Sequence, residues 1–238
     1  MRRWLSLFLL LCLASTLPAQ DAKFAELTQR FDKFVADKDT SGAVLLIGRK
    51  DSIPYFEAIG QANISTGKAM KKDSLFRIAS MTKPITAMAI MMLQDEGKLN
   101  VEDAVEKHLP EFKGQMMVQG TDKEKGTVTL GKPKRIITIR DLLTHTSGLA
   151  GYPAGLADLY TKRNRTLAES TLAVSQLPLM FEPGTKWSYC NSGIDTLGRI
   201  IEVTSGMSYE KFLQTRIFDK LKMTNTTFYP TPKQLERM

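Results

Sequence analysis

Apolar positions along the chain fall into short blocks separated by polar breaks, and the spacing inside each block predicts its secondary structure. Phe24, Leu27, Phe31, Phe34 and Val35 recur at helical intervals, which predicts an amphipathic opening helix. Ala43 to Gly48 and Ile53 to Ala58 are apolar runs divided by a polar stretch, the pattern of a β-hairpin. The stretch from Gly60 to Gly67 then reads as a loop. After Ser80, residues Ile85, Met88, Ala89, Met92 and Leu93 share one helical face, and Gly97 stands where a C-terminal cap belongs. Pro84 is tolerated in that helix only within its first turn. Ser80 therefore sits at or beside a helix N-terminus, where backbone amides lack intrahelical partners.

Further along, Phe112 to Lys134 is polar and rich in Gly and Lys, a surface excursion with one short strand at Thr127 to Leu130. Thr138 and Asp141 have capping-box spacing and start a short helix through Leu142 and Leu143 that stops near Gly148. Gly151 to Gly155 reads as a loop, Thr166 to Leu177 as a helix, and Pro178 to Gly184 as its break. Asn191 or Ser192 caps a helix carrying Ile194, Leu197, Ile200, Ile201 and Val203 and ending at Gly206. Ser208 caps the last helix, with Phe212, Leu213, Ile217 and Phe218 inward. The result is a hairpin followed by a mostly helical body. A two-stranded hairpin is marginal alone, so a further partner for Ala43 to Ala58 is expected.

Residues 1–19 read as a secretory signal: Arg2 and Arg3, an apolar run from Trp4 to Leu13, then small and helix-breaking residues to Ala19. The run is too short for a stable membrane anchor. Cys12 follows Leu11 rather than a small residue, which argues against lipid attachment. A secreted or periplasmic protein without a stable anchor after cleavage is expected. Its net charge of +8 becomes +6 without the leader, 31 basic against 25 acidic residues. The basic residues are scattered, with bunches at Lys123 to Lys134 and Lys162 to Arg165, so no nucleic-acid partner is expected. Only Cys190 remains outside the leader, so no internal disulfide can form. With one cysteine and two histidines, His108 and His145, a structural zinc site of the usual type is excluded and no metal or other cofactor is expected. Oligomeric state is left open.

The first group with chemistry is Ser80-Met81-Thr82-Lys83. Residues three apart share a helix face, so the Lys83 amine can reach the Ser80 hydroxyl. A serine becomes a nucleophile once a neighbouring base takes its proton. Chance supplies about one Ser-x-x-Lys spacing in such a chain; here Ser65 with Lys68 and Ser208 with Lys211 show it too. Ser65 precedes a Thr-Gly turn and Ser208 reads as a cap, and Ser80 alone could equally be one. The second group is Tyr189-Cys190-Asn191, just before a helix start. Tyr189 can be a general base if an adjacent cation lowers its pKa, and Asn191 can orient Lys83 and a substrate amide; singly, a buried tyrosine and a capping asparagine explain both. His145 reads as a structural histidine bonded to nearby backbone, and Cys190 as a small buried thiol.

Taken together, Ser80-Met81-Thr82-Lys83-Pro84, the stretch Asp141 to Leu149, and Pro183-Gly184-Thr185 leading into Tyr189-Cys190-Asn191-Ser192-Gly193 resemble the serine β-lactamase and penicillin-binding-protein superfamily, its class C β-lactamase and esterase-like branch above all. The resemblance implies an α+β fold: an antiparallel sheet from both chain ends packed with helices, an inserted all-helical region, and an active site at their junction. Residues 20–78 would supply the N-terminal helix and hairpin, and 79–238 the mainly helical region. By the same resemblance, Ser80 is the acylated nucleophile, Lys83 its proton-abstracting partner, Tyr189 a base or acid serving attack and leaving group, and Asn191 a contact for substrate and Lys83. Which of Lys83 and Tyr189 takes the first proton stays open.

The implied activity is hydrolysis of an ester, amide or β-lactam carbonyl in a small-molecule or peptide substrate, through an acyl-serine. The family's third motif, Lys/His-Thr/Ser-Gly on a later strand, does not follow Asn191. The expectation is therefore a truncated member whose C-terminal sheet strands, the partners of the hairpin, are missing. The alternative is a non-catalytic remnant that binds a peptidoglycan peptide or another ligand.

Overall fold

The computed structural model of the chain describes residues 22–156, 158 and 165–238; the leader expected at 1–19, together with Lys162 and Arg163, lies outside the described residues. The described residues group into two compact units, 22–76 with 230–238, and 77–229.

In the first unit the opening apolar periodicity produces α1 (Ala22–Ala36), and the two apolar runs become β1 (Gly42–Arg49) and β2 (Ser52–Asn63). They pair antiparallel, with Gly42 opposite Gly60 and Ile47 opposite Tyr55. One face of β2 packs under α1: the Phe24 and Tyr55 rings lie 5.3 Å apart, and Tyr55 Oη is 2.7 Å from Thr28 Oγ1. The expected loop from Gly60 to Gly67 is a correction. Strand β2 runs to Asn63, turns, and meets β3 (Lys68–Ala69), giving a three-stranded antiparallel sheet in the order β1-β2-β3. Gly60 marks the bend that hid this continuation: its φ is +73°, and a Cβ there would lie 2.5 Å from the Ser41 carbonyl oxygen. Glycine signalled a turn, but what it supplies is a close approach inside a sheet. The chain's last residues join this unit, Leu75 N–H donating to Arg237 O at 2.8 Å and Lys68 Nζ to Met238 O at 3.1 Å. A short helix, α8 (Pro232–Leu235), follows a Thr231 capping box, so the helix after Ser208 is not the last.

The second unit holds the principal core. Its first long helix, α2 (Thr82–Asp95), is preceded by a 3-10 turn at Ala79–Met81 and ends before Gly97. The buried stripe is Thr86, Ala89, Ile90 and Leu93, rotated from the expected one, and Met88 is exposed. The rotation is possible because the Thr86 hydroxyl is fully bonded inside the protein, to Thr82 O at 3.1 Å and Tyr209 Oη at 2.6 Å; a satisfied hydroxyl can be buried at little cost. Against α2 packs α6 (Asn191–Ser205), with Leu197, Ile200 and Ile201 fully buried and Val203, expected inward, exposed. Around this pair stand α3 (Val105–His108), α4 (Ile139–Leu143), α5 (Leu167–Ser175) and α7 (Tyr209–Leu213), the last continuing into a π turn at Gln214–Phe218. Phe212, Leu213, Ile217 and Phe218 are buried as expected, although Ser208 bonds the Glu210 carboxylate rather than a helix N–H.

The surface excursion is a two-stranded hairpin of β4 (Met117–Asp122) and β5 (Thr127–Gly131). The inserted region is therefore not all-helical. Only β5 was legible: Val128 and Leu130 alternate with threonines, whereas Met117-Val118-Gln119-Gly120-Thr121-Asp122 shows no apolar alternation. The overall class is α+β with antiparallel sheets.

Asp141 is the main buried charge. Its carboxylate takes two hydrogen bonds from Arg135, Nη1 at 2.6 Å and Nη2 at 2.8 Å, and closes the Thr138 capping box. Burial by itself would raise its pKa; the Arg135 and Thr138 hydrogen bonds outweigh that and hold it below the ordinary 3.8. A depressed carboxylate contributes stability that is fully present above the unfolded pKa and is lost as pH falls through the folded one. Urea denaturation should show Asp141→Ala less stable at pH 7 by about 2–3 kcal/mol, from a lost cap and charge-assisted hydrogen bonds. That gap should narrow on acidification below about pH 4.

Candidate active site

All four residues singled out in the two short motifs lie in the second unit, and the structure brings them together. Lys83 stands on the first turn of α2 and directs Nζ to Ser80 Oγ at 3.1 Å, one turn back. The other motif arrives from 109 positions away: the Tyr189 hydroxyl lies 2.6 Å from Ser80 Oγ. Asn191, the first residue of α6, accepts from Lys83 Nζ through Oδ1 at 2.8 Å. The expected capping role of Asn191 or Ser192 is a correction, since Cys190 is the N-cap and makes no side-chain cap bond. Asn191 spends its carbonyl on Lys83, and Ser192 directs its hydroxyl to Ala150 O at 2.7 Å. The serines of the other two Ser-x-x-Lys pairs bond elsewhere, Ser65 to Asn63 and Ser208 to the Glu210 carboxylate, and Lys68 reaches carbonyls at the far end of the chain.

Charge at the cluster is uneven. The Lys83 ammonium also lies 4.6 Å from the centre of the Tyr189 ring. Its hydrogen bond, followed by that between Tyr189 and Ser80, holds the Tyr189 phenol below its ordinary value of 10. Ser80 and Tyr189 are exposed and Lys83 and Asn191 partly buried, so the hydroxyls face solvent while the amine is held from beneath.

Two features escaped the sequence. Ala79, immediately before Ser80, has φ +44°, a left-handed conformation unfavourable for a residue with a Cβ. No residue type announces such strain, and outliers of this kind concentrate at functional sites. The other is the placing of His145. It is backbone-bonded, but to a segment distant in sequence: its carbonyl accepts from Ser188 N–H at 2.9 Å and its Nδ1 from Cys190 N–H at 3.2 Å. Its ring lies 4.8 Å from that of Tyr189, with exposed Trp187 edge-on at 6.2 Å. The loop carrying it is fastened to the segment 180–190 by Met180 N–H to Gly148 O at 2.7 Å and Gly184 N–H to Thr146 O at 2.8 Å. Gly148 permits the contact, since at φ +77° a Cβ would lie 2.3 Å from the Phe181 carbonyl oxygen. Cys190 is a buried thiol, as expected, 2.9 Å from Ser192 Oγ.

Chemically, a hydroxyl touched by both an ammonium and a phenol of lowered pKa can lose its proton to the phenolate form of that group, with the ammonium stabilising the negative charge. Residues 27–237 match the family model described as Beta-lactamase. Esterase EstB of Burkholderia gladioli is 32% identical over 215 residues, 86% of this chain and 51% of that protein. Penicillin-binding protein 4* of Bacillus subtilis is 31% identical over 207 residues, 86% of this chain and 42% of that one. Among solved structures, EstCE1, described as a hydrolase with promiscuous acyltransferase activity, superposes with a TM-score of 0.73 at 28% identity, covering 90% of this chain and 55% of its own. The chain thus spans about half the length of the curated relatives it matches.

Replacing Ala79 by glycine removes a left-handed penalty of about 1–2 kcal/mol and adds about 0.5–1 kcal/mol of backbone entropy cost. Ala79→Gly should therefore stabilise the protein by up to about 1.5 kcal/mol in urea denaturation.

Proposed function

The chain belongs to the beta-lactamase family, and on that premise we propose that it performs serine acyl transfer with Ser80 as nucleophile. The observation that carries this reading is the pair of contacts on one oxygen: Tyr189 Oη at 2.6 Å and Lys83 Nζ at 3.1 Å from Ser80 Oγ, with Lys83 anchored by Asn191. The substrate class is an ester, amide or β-lactam carbonyl, supported by the esterase and penicillin-binding names among the relatives. The leader-like residues 1–19 support an extracytoplasmic setting.

Of the two basic groups, Tyr189 is the better first proton acceptor. Lys83 donates to both Ser80 and Asn191 and acts as a fixed cation, and that cation favours the phenolate. Ser80 Oγ bonds to the carbonyl carbon as its proton passes to the Tyr189 oxygen, and the carbonyl electron pair moves onto oxygen. The Ser80 amide, at a helix start, is one donor able to meet that oxyanion. Collapse of the tetrahedral species breaks the bond to the leaving group, which takes the proton from Tyr189. Water then attacks the acyl-Ser80 ester by the same route in reverse, releasing the acid and restoring the hydroxyl.

The test is covalent labelling of the full chain with a fluorophosphonate and a labelled β-lactam, read by intact mass and peptide mapping. One adduct at Ser80 is expected, absent in Ser80→Ala and unchanged in Ser208→Ala. Tyr189→Phe should slow labelling by about 10²- to 10⁴-fold, the range for loss of a general base. The rate should climb with pH through a midpoint below 10, since the phenolate is the reactive form. Reversible retention of either reagent without added mass would overturn acyl transfer in favour of simple binding.

A further inference from the structure

We propose that His145 is a positioning residue that holds the Tyr189 phenol against Ser80, and that it does so only as the neutral imidazole. The proposal rests on the acyl-transfer reading above for its kinetic consequence. Its structural part stands on geometry alone.

Tyr189 reaches Ser80 from a segment of extended backbone and turns, so something other than a regular ladder must fix its position. The two peptide N–H groups that flank it, those of Ser188 and Cys190, both donate to His145, one to its carbonyl at 2.9 Å and the other to Nδ1 at 3.2 Å. The imidazole also covers the tyrosine ring, with centroids 4.8 Å apart and planes inclined by 34°. One residue therefore grips Tyr189 through the backbone on either side and through its ring. His145 has φ +59°, uncommon outside glycine, and the strained position is the one that makes all three contacts.

Nδ1 can accept from Cys190 N–H only without a proton, which leaves the neutral ring with its proton on Nε2. Among the described residues, the charged and titratable groups near the ring favour that state or are already engaged. From α2 comes the Lys83 ammonium. From the 187–190 segment come the Tyr189 phenol and the buried Cys190 thiol, which lies on Leu149 O at 3.4 Å. On its own segment, the Asp141 carboxylate is occupied by Arg135 and Thr138. Burial first, and the Lys83 charge second, hold the imidazole pKa below 6.5. Acidification then puts a proton where Cys190 needs a lone pair and sets a second cation beside Lys83. The clamp on Tyr189 opens, and acylation falls with it.

The experiment uses the full chain with two readouts. The first is the pH dependence of fluorophosphonate labelling at Ser80. The second, independent of activity, is the ¹³C shift of the Tyr189 ring in tyrosine-labelled protein, followed from pH 8 to 4.5, with Tyr189→Phe to assign the signal. His145→Asn keeps an acceptor near the Nδ1 position, suits left-handed backbone and does not titrate. His145→Ala removes the ring. In the wild type, the Tyr189 signal should shift with a midpoint below 6.5, and over the same range labelling should fall more steeply than the loss of phenolate alone requires. In His145→Asn the Tyr189 shift and this extra fall should vanish, leaving only the phenolate dependence, with labelling at pH 8 kept within about threefold. In His145→Ala labelling should drop at least tenfold at pH 8, with unchanged circular dichroism. A Tyr189 transition that survives in His145→Asn, or His145→Ala labelling at the wild-type rate, would overturn the clamp. If the Tyr189 signal follows His145 but nothing labels Ser80, the clamp stands and the acyl-transfer reading falls.

Discussion

The arrangement at Ser80 depends on the packing of α2 against α6. Ala89, Ile90 and Leu93 from one helix and Leu197, Ile200 and Ile201 from the other are fully buried in a common core. That contact sets the first turn of α2 beside the first residue of α6, where Lys83 finds the Asn191 carbonyl at 2.8 Å. A lysine has several rotatable bonds and loses roughly 1.5–2 kcal/mol of side-chain entropy when fixed. A hydrogen bond to a charged group returns about 1.5–3 kcal/mol. The two nearly balance, so the amine can be held in place only because the core has already fixed its partner.

Tyr189 is held by a different device. Helix packing brings Asn191 to its position, but the segment before it has no ladder of its own, and the loop after α4 supplies one. Asp141 secures the start of that loop through Arg135 and the capping box, and Gly148 lets its far end lie against the Phe181 carbonyl. Between them His145 takes both peptides around Tyr189. The half-buried ion pair, the left-handed glycine and the histidine thus form one chain of support under a single phenol. The left-handed strain at Ala79 lies immediately before Ser80, the residue this phenol touches. Strained backbone of this kind persists only where the surrounding structure over-determines it.

Much of the local structure was legible in the sequence, and the reasons differ by element. The capping box at Thr138 and the glycine stops at Gly97 and Gly206 depend on neighbours within a few residues. The same holds for α1 and the β1–β2 hairpin, whose periodicities are strong. Where the reading failed, tertiary contacts overrode a local signal. Gly60 looked like a turn and is a close approach in a sheet; Met88 looked inward, but Thr86 took the buried position once Tyr209 satisfied its hydroxyl. Strand β4 gave no signal, because its residues alternate between no distinct faces.

By itself the sequence determined that Ser80 and Lys83 share a face at a helix start, since a three-residue spacing is a property of the helix and needs nothing else. It also named the order of motifs that marks the family. Only the tertiary structure decided that a phenol 109 positions away touches the same oxygen, that Asn191 serves the lysine rather than the helix end, and that His145 grips both sides of the tyrosine. Contacts of that kind are set by how buried faces pack, and packing geometry is a property of the whole assembled core that no local spacing encodes.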